Sequence, residues 1–325
     1  MKVQVVGAGS WGLALARLLT RNGHDVGIWC RDEDGPDELR ATRISPYYQP
    51  DITLPAEVEV CREVDPHAEM AVFAVPSHAM RSIVSEHVFS PATIRVSVAK
   101  GIENESLSRM SEVIRIVTGP SPIAALSGPS HAEEVAHDKP TTVVAASESE
   151  EVAETVQQAF MADMFRVYTT HDIVGVELGG ALKNVIAIAA GVCDGFDLGD
   201  NAKAALITRG LAEIARLGEA MGAHPLTFSG LSGMGDLIVT CESRLSRNRA
   251  VGERIAQGQR LDEILAGTHM VAEGVRTTRS AEALAKRYDV EMPITHQIHR
   301  VLFENADPRD AVAALMLRDA KPERT

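Results

Sequence analysis

Cysteine is scarce in this 325-residue chain: Cys30, Cys61, Cys193 and Cys241 stand alone, with no paired spacing. That excludes a disulfide framework and leaves no zinc-ligand pattern, so the expectation is no metal site and a reducing, cytoplasmic setting. Positive charge is short as well, 32 Lys and Arg against 45 Asp and Glu, a formal net charge of -13. Nonspecific nucleic-acid binding rests on cations that neutralise phosphates, so nucleic acid is not an expected partner. Any anionic ligand must instead meet a local basic cluster. Long apolar runs are missing too. The most apolar late stretch, residues 181–191, is interrupted by Lys183-Asn184 and falls short of the roughly 20 residues that span a bilayer. No membrane span is expected, and the opening Met1-Lys2-Val3-Gln4-Val5-Val6 enters a strand-like segment without the features of a signal peptide. Internal repeats and low-complexity stretches are likewise absent.

What is present is an ordinary globular composition, 45% hydrophobic and 24% charged, at a length that suggests two domains of roughly 150 residues each. Short β-rich runs at 2–6, 25–30, 70–74, 94–98, 122–126, 141–146 and 165–168 alternate with helix-like stretches. Such alternation predicts an α/β fold: an N-terminal Rossmann-type, mostly parallel sheet with covering helices. Beyond about residue 173 strand patterns stop, and 202–221, 250–257 and 276–287 read as helices, so a C-terminal all-α domain follows. We expect the division at 1–170 and 171–325. No Pro/Gly/Ser linker marks it, so the halves should pack closely, with a ligand cleft between them.

Gly7-Ala8-Gly9-Ser10-Trp11-Gly12 follows the first strand and opens a helix over 13–20, the context that gives G-x-G-x-x-G its meaning. Gly7 suits the tight turn, Gly9 the approach of backbone to a pyrophosphate, and Gly12 close helix packing. A dinucleotide, NADP(H) or NAD(H), is therefore the expected cofactor. Past the second strand stands Arg31, where NAD-selective proteins usually carry an acid for the ribose hydroxyls. An arginine there can pair with a 2′-phosphate, so NADPH is expected to serve at least as well as NADH. Asp32 beside it keeps mixed specificity open, and a plain solvated arginine is the alternative.

The segment 175–191 is a small-residue apolar helix with Lys183 and Asn184 in its middle. Lys183 either reaches solvent along its stem or serves a site, where desolvation would draw its pKa from about 10.4 toward neutrality and make it a competent general acid. Lys100 closes the strand at 94–98, at the sheet edge where ligands gather, or is a surface charge at a helix entry. Ser127-Gly128-Pro129-Ser130-His131 is a turn that could contact an anion, or an ordinary loop. Ser246-Arg247-Asn248-Arg249 ahead of a helix from about residue 250 reads as a phosphate seat or as a capped helix with surface arginines. Asp236 is a cap or a partner for a substrate hydroxyl.

Taken together these residues resemble the bacterial-type NAD(P)-dependent glycerol-3-phosphate dehydrogenase family. The resemblance runs from Gly7 to about Thr278 on Gly-Ala-Gly-Ser-Trp-Gly (7–12), Ala-Lys-Gly-Ile-Glu (99–103), Ser-Gly-Pro-Ser (127–130), Gly-Gly-Ala-Leu-Lys-Asn (179–184), Gly-Asp-Asn-Ala-Lys-Ala-Ala-Leu (199–206), Gly-Asp-Leu (235–237), Leu-Ser-Arg-Asn-Arg (245–249) and Val-Ala-Glu-Gly-Val (271–275). It implies reduction of dihydroxyacetone phosphate to sn-glycerol 3-phosphate in the service of phospholipid synthesis, by a homodimer. It makes Lys183 the catalytic acid/base. It assigns Ser10, Trp11, Arg31, Tyr48, Ala132, Val271 and Glu273 to the cofactor beside Gly7, Gly9 and Gly12. Gly128, Ser130, Asp236, Ser246 and Asn248 go with Lys183 to the substrate, and Lys100 and Arg247 to both. His131 departs from a usual aromatic, Ser232 and Met234 alter a Gly-rich turn, and Tyr47-Tyr48-Gln49-Pro50 replaces a shorter sequence. Two rivals remain: a β-hydroxy-acid or 2-keto-acid reductase of the same plan, and a nicotinamide-binding regulator without turnover.

Overall fold

The computed structural model describes residues 1–266, 272–320 and 322–323. Its first half is one sheet of eight strands: β1 (Lys2–Val6), β2 (Asp25–Trp29), β3 (Glu59–Cys61), β4 (Met70–Phe73), β5 (Ile94–Ser97), β6 (Ile123–Ser127), β7 (Thr141–Ala146) and β8 (Phe165–Thr170). Alternate residues feed cores on opposite faces: Val3, Val5 and Val72 enter one, Val6, Ala71 and Phe73 the other. Burial on both faces is why these strands read as continuous apolar runs. All seven strands expected from the sequence are present. The eighth, β3, has only three residues, too few for an alternation to declare itself.

The strand order is β3-β2-β1-β4-β5-β6-β7-β8, parallel at every junction except β6–β7. Its first six strands have the dinucleotide-binding order, which reverses direction between β1 and β4 and opens a crevice at their carboxyl ends. Gly7–Gly12, Arg31, Ser77, Lys100 and Gly128–His131 all follow carboxyl ends of this parallel set.

Beyond β8 the side chain of Asp172 accepts a hydrogen bond from the amide of Gly175 at 2.8 Å and starts the helix Ile173–Gly195. This helix is apolar all round because it is surrounded, the pattern of a core helix. It packs against helices Asp200–Ala220, Arg247–Ala256, Glu273–Arg287 and Pro293–Phe303, and against β6. The sequence expectation that this stretch is too short for a membrane needs correcting. The apolar run begins at Ile173, and the helix is long and apolar enough to cross one by length and composition, yet 94% of its most apolar window is buried inside the protein. The helices expected at 250–257 and 276–287 also begin three residues earlier, at Arg247 and Glu273, so Arg247 and Asn248 belong to a first helical turn rather than to the loop before it.

Two glycines set the closest helix contact. A Cβ on Gly191 would lie 1.9 Å from the carbonyl oxygen of Arg249, and one on Gly252 would lie 2.0 Å from that of Ile188. The two halves are joined through Glu177 on the long helix. Its carboxylate accepts from Arg109 Nη1 at 2.6 Å, from the Ser111 amide at 2.8 Å and from the Ser111 hydroxyl at 2.6 Å, at the start of helix Met110–Thr118 beneath the sheet. Replacing Gly252 by Ala should force these helices apart and lower stability by about 1–3 kcal/mol. A thermal melt indistinguishable from that of the unsubstituted protein would contradict this packing.

Candidate active site

The crevice at β1 is lined by three glycines with two different tasks. Gly7 sits at φ +112°, and a Cβ there would lie 2.6 Å from the carbonyl oxygen of Ala74. A Cβ on Gly12 would lie 1.9 Å from the carbonyl oxygen of Gly7, whereas one on Gly9 would meet nothing within 4 Å. Gly7 and Gly12 thus hold the turn closed against its neighbours, and Gly9 faces open space. The following helix, Ser10–Arg21, has no side-chain cap and no acid in its first turn, so its first amides are free for an anion. Trp11 packs against the core on one side, while its indole Nε1 is buried without a hydrogen-bond partner. An uncapped helix start, an open glycine and an orphaned donor fit a bound dinucleotide.

Arg31 lies just past β2, as expected, but its guanidinium is engaged. Nε and Nη2 donate to the two carboxylate oxygens of Asp34 at 3.1 and 3.0 Å. Asp32 turns away to Arg62, 2.6 Å from its Nη1. Half-buried Tyr48 packs against the same core, near enough to Arg31 and Arg247 to feel both charges, and burial raises its phenol above the usual range.

The centre of the cleft is an ionic cluster. Lys183, 5% exposed, donates from Nζ to Asp236 Oδ1 and, at 2.8 Å, to Thr240 Oγ1. Lys100 donates to the other Asp236 oxygen and to the carbonyl of Gly128, both at 2.8 Å. Asp236, 1% exposed, therefore bridges two ammonium groups. Burial pulls the Lys183 ammonium down to about 7. Asp236 opposes that fall, and the like charge of Lys100 adds to it. The Lys183 ammonium thus does not reach solvent along its stem, one of the two readings the sequence left open.

Several local features aim these groups. Gly180 leaves space between the long helix and β6: a Cβ on it would lie 2.6 Å from Ser127 Oγ and 3.5 Å from Lys100 Cγ. Gly179 does the same for the π-helical turn Leu231–Gly235, since its Cβ would lie 2.5 Å from the carbonyl oxygen of Ser232. That turn leads directly into helix Asp236–Glu242. The sequence reading passed over Thr240 and named Asn184 without giving it a role. Thr240 follows Asp236 by one helical turn and so shares its face. Asn184 donates to the carbonyl of Lys100 at 3.3 Å and accepts from Asn248 Nδ2 at 3.0 Å, while Asn248 Oδ1 accepts the Gly274 amide at 2.9 Å. The i,i+4 spacing was a signal for Thr240, but nothing in the sequence announced the asparagine chain.

The remaining residues divide. Gly128 and Ser130 lie beside Lys100, Ser130 Oγ donating at 2.9 Å to the same Gly128 carbonyl that Lys100 reaches. His131 Nε2 is buried without a partner, and burial together with the charges of Lys183 and Lys100 lowers its pKa below the usual histidine range. Ala132 opens the short helix Ala132–Ala136. Ser246 is buried, with its hydroxyl accepting from the Arg249 amide at 3.3 Å as a helix cap. Asn248 turns inward, and Arg247 stands exposed with no hydrogen bond or ion pair among the described residues. Glu273 accepts from the Ser77 amide at 3.1 Å and the Ser77 hydroxyl at 2.6 Å. Val271 lies outside the described residues.

A dinucleotide-type sheet whose carboxyl edge meets a buried lysine on a helical half defines a class of nucleotide-dependent oxidoreductases. The chain itself belongs to the NAD-dependent glycerol-3-phosphate dehydrogenase family, whose N-terminal model matches residues 2–153 and whose C-terminal model matches residues 172–313. It is 54% identical over 325 residues to glycerol-3-phosphate dehydrogenase [NAD(P)+] of Pelotomaculum thermopropionicum, covering 98% of this chain and 93% of that relative. It is 52% identical over 329 residues to the Salinibacter ruber protein "Glycerol-3-phosphate dehydrogenase [NAD(P)+] 2", covering 99% and 96%. The crystal structure of glycerol-3-phosphate dehydrogenase from Coxiella burnetii superposes with a TM-score of 0.92 at 36% identity, covering 97% of this chain and 98% of that one.

The glycine geometry separates ligand from fold. Gly9→Ala should leave the thermal melt unchanged and weaken NADH binding at least tenfold, because its methyl group enters the open space of the crevice. Unweakened binding in a fluorescence titration would place the pyrophosphate elsewhere.

Proposed function

We propose that this chain reduces dihydroxyacetone phosphate to sn-glycerol 3-phosphate, with residues 1–170 holding NAD(P)H and residues 171–325 holding substrate and proton donor. The observation that carries this reading is Lys183: an ammonium buried beside Asp236 and Thr240, drawn to about 7, at the carboxyl edge of a dinucleotide sheet. Bound reduced nicotinamide supplies the hydride. The chain supplies the proton and the positioning.

Lys183 donates from Nζ to the ketone oxygen as that oxygen gains charge, and Asp236 and Thr240 hold the ammonium in place. Lys100, fixed between Asp236 and the Gly128 carbonyl, adds a second cation against the developing alkoxide. Arg247, without an acidic partner among the described residues, and Asn248 meet the phosphate at the first turn of their helix. Ser246 shapes that turn by capping it, and Gly128 and Ser130 close the opposite wall. Glu273, Ala132 and Tyr48 complete the cofactor side; the family resemblance adds Val271, which lies outside the described residues. A homodimer, a cytoplasmic location and a role in supplying phospholipid synthesis belong to the same proposal.

The first test is the loss of 340 nm absorbance when protein meets dihydroxyacetone phosphate with NADH or NADPH. Cofactor binding without oxidation would overturn the substrate assignment and direct the search to carbonyl acids. Lys183→Ala should retain cofactor binding and lose at least a thousandfold in kcat; more than a few per cent of residual turnover removes Lys183 from its role.

The reaction should also carry the lysine's titration. Ketone reduction needs the ammonium, so its kcat/KM should fall as pH rises through about 7, and alcohol oxidation, which needs the free amine, should rise over the same range. Asp236 favours the charged lysine, so Asp236→Asn should move both midpoints to lower pH. An unmoved midpoint would assign the titration to another group.

A further inference from the structure

The arginine past β2, taken alone, reads as a ligand for a 2′-phosphate. Its surroundings change that reading. Arg31 is already in a two-pronged pair, Nε to one oxygen of Asp34 at 3.1 Å and Nη2 to the other at 3.0 Å. The Arg31 side chain is more than half exposed, but that of Asp34 is only 9% exposed. The pair is built locally: Asp32–Asp34 form a tight 3-10 turn, closed by Gly35 in the left-handed region at φ +68°. That turn brings Asp34 back to Arg31, three residues before it.

Neighbouring cations are taken as well. Arg62 reaches Asp32 at 2.6 Å and Asp37 at 2.7 Å, and Arg40 reaches Asp37 at 2.8 Å and the Val60 carbonyl at 2.9 Å. Residues 31–40 bring five acids, Asp32, Glu33, Asp34, Asp37 and Glu38, against the two arginines Arg31 and Arg40. The edge that would receive the adenosine ribose is therefore acidic, with its arginines held by its aspartates.

We propose that Asp34 is a specificity-determining residue for the cofactor: by holding Arg31 it weighs against a 2′-phosphate and inclines the chain toward NADH. This rests on the dinucleotide reading of the crevice. A ribose 2′-hydroxyl can accept from Arg31 or donate to a carboxylate while the pair stays closed. A 2′-phosphate, with a charge near -2 at pH 7, finds only the guanidinium hydrogens that the pair leaves free, since Nε and Nη2 already serve Asp34. It must also sit beside the Asp34 carboxylate, a like charge at close range that offsets the arginine. Asp34 touches Arg31 rather than the reacting atoms, so it acts on cofactor choice alone.

The test is the ratio of NADPH to NADH dissociation constants, read by nicotinamide fluorescence without turnover. The unsubstituted protein should bind NADH more tightly. Asp34→Asn should shift the ratio about tenfold toward NADPH, which is ~1.4 kcal/mol, and Asp34→Glu, which keeps the charge, should shift it less than threefold. Asp34→Ser also removes the charge and gives the same readout should the asparagine disturb the turn. The Arg31→Ala, Asp34→Asn double variant should lose the gain, because the freed arginine is what the phosphate uses. A ratio unmoved within twofold by both charge-removing variants, with thermal melts preserved, overturns the assignment, as does tighter binding of NADPH by the unsubstituted protein. If neither cofactor binds the unsubstituted protein, the dinucleotide reading itself fails and this proposal with it.

Discussion

One carboxylate serves two lysines in this protein. Asp236 meets Lys183 through one oxygen and Lys100 through the other, almost out of contact with water. Burial of an ammonium is unfavourable, and the fall of Lys183 from 10.5 to about 7 corresponds to roughly 5 kcal/mol of lost preference for the charged form. Without the aspartate the loss would be greater, and the lysine would be neutral over the range in which a proton donor is wanted. Much of the neighbouring architecture bears on this contact. Lys183 needs a helix buried on every side, Lys100 needs the end of a parallel strand, and Asp236 needs the π-helical turn that delivers its own helix. Each comes from a different part of the chain, and glycines at 179 and 180 let them converge.

How much of this was legible in the sequence follows from the range of each determinant. The sheet was readable because buried parallel strands are runs of Val, Ile and Ala, and the Gly7–Gly12 turn because its three glycines act within six residues. The three-residue β3 had no room for a pattern. Helix starts at Arg247 and Glu273 were read three residues late: the first turn from Arg247 is Arg-Asn-Arg and carries no apolar residue, and at Glu273 a glycine stands between the first residue and the apolar Val275. The ambiguity of Lys183 was genuine: its helix looks the same from sequence whether the ammonium reaches water or not, and only Asp236 and Thr240, 53 and 57 residues away, decide. Asn184, Asn248 and Gly274 form a chain whose links span 64 and 26 residues, beyond any local signal.

Arg31 shows the converse. Its position past β2 was read correctly, while its pairing with Asp34 was not foreseen, although that partner is only three residues away. The sequence states which charges are close. It does not state that the turn closed by Gly35 brings Asp34 back onto Arg31.

The mooring of Glu177 on Arg109 and Ser111 has a mechanical consequence. It lies near the start of the long helix, six residues before Lys183, and ties that end to the element beneath the sheet. The Ser77–Glu273 contact joins the same two halves through different elements. With three hydrogen bonds on a fully enclosed carboxylate at one point and two on a partly exposed one at the other, the two fastenings are unequal. Breaking the deeper one would strand a buried carboxylate without its partners, whereas breaking the Ser77–Glu273 contact would leave a carboxylate that water can reach, so the first costs more than the second.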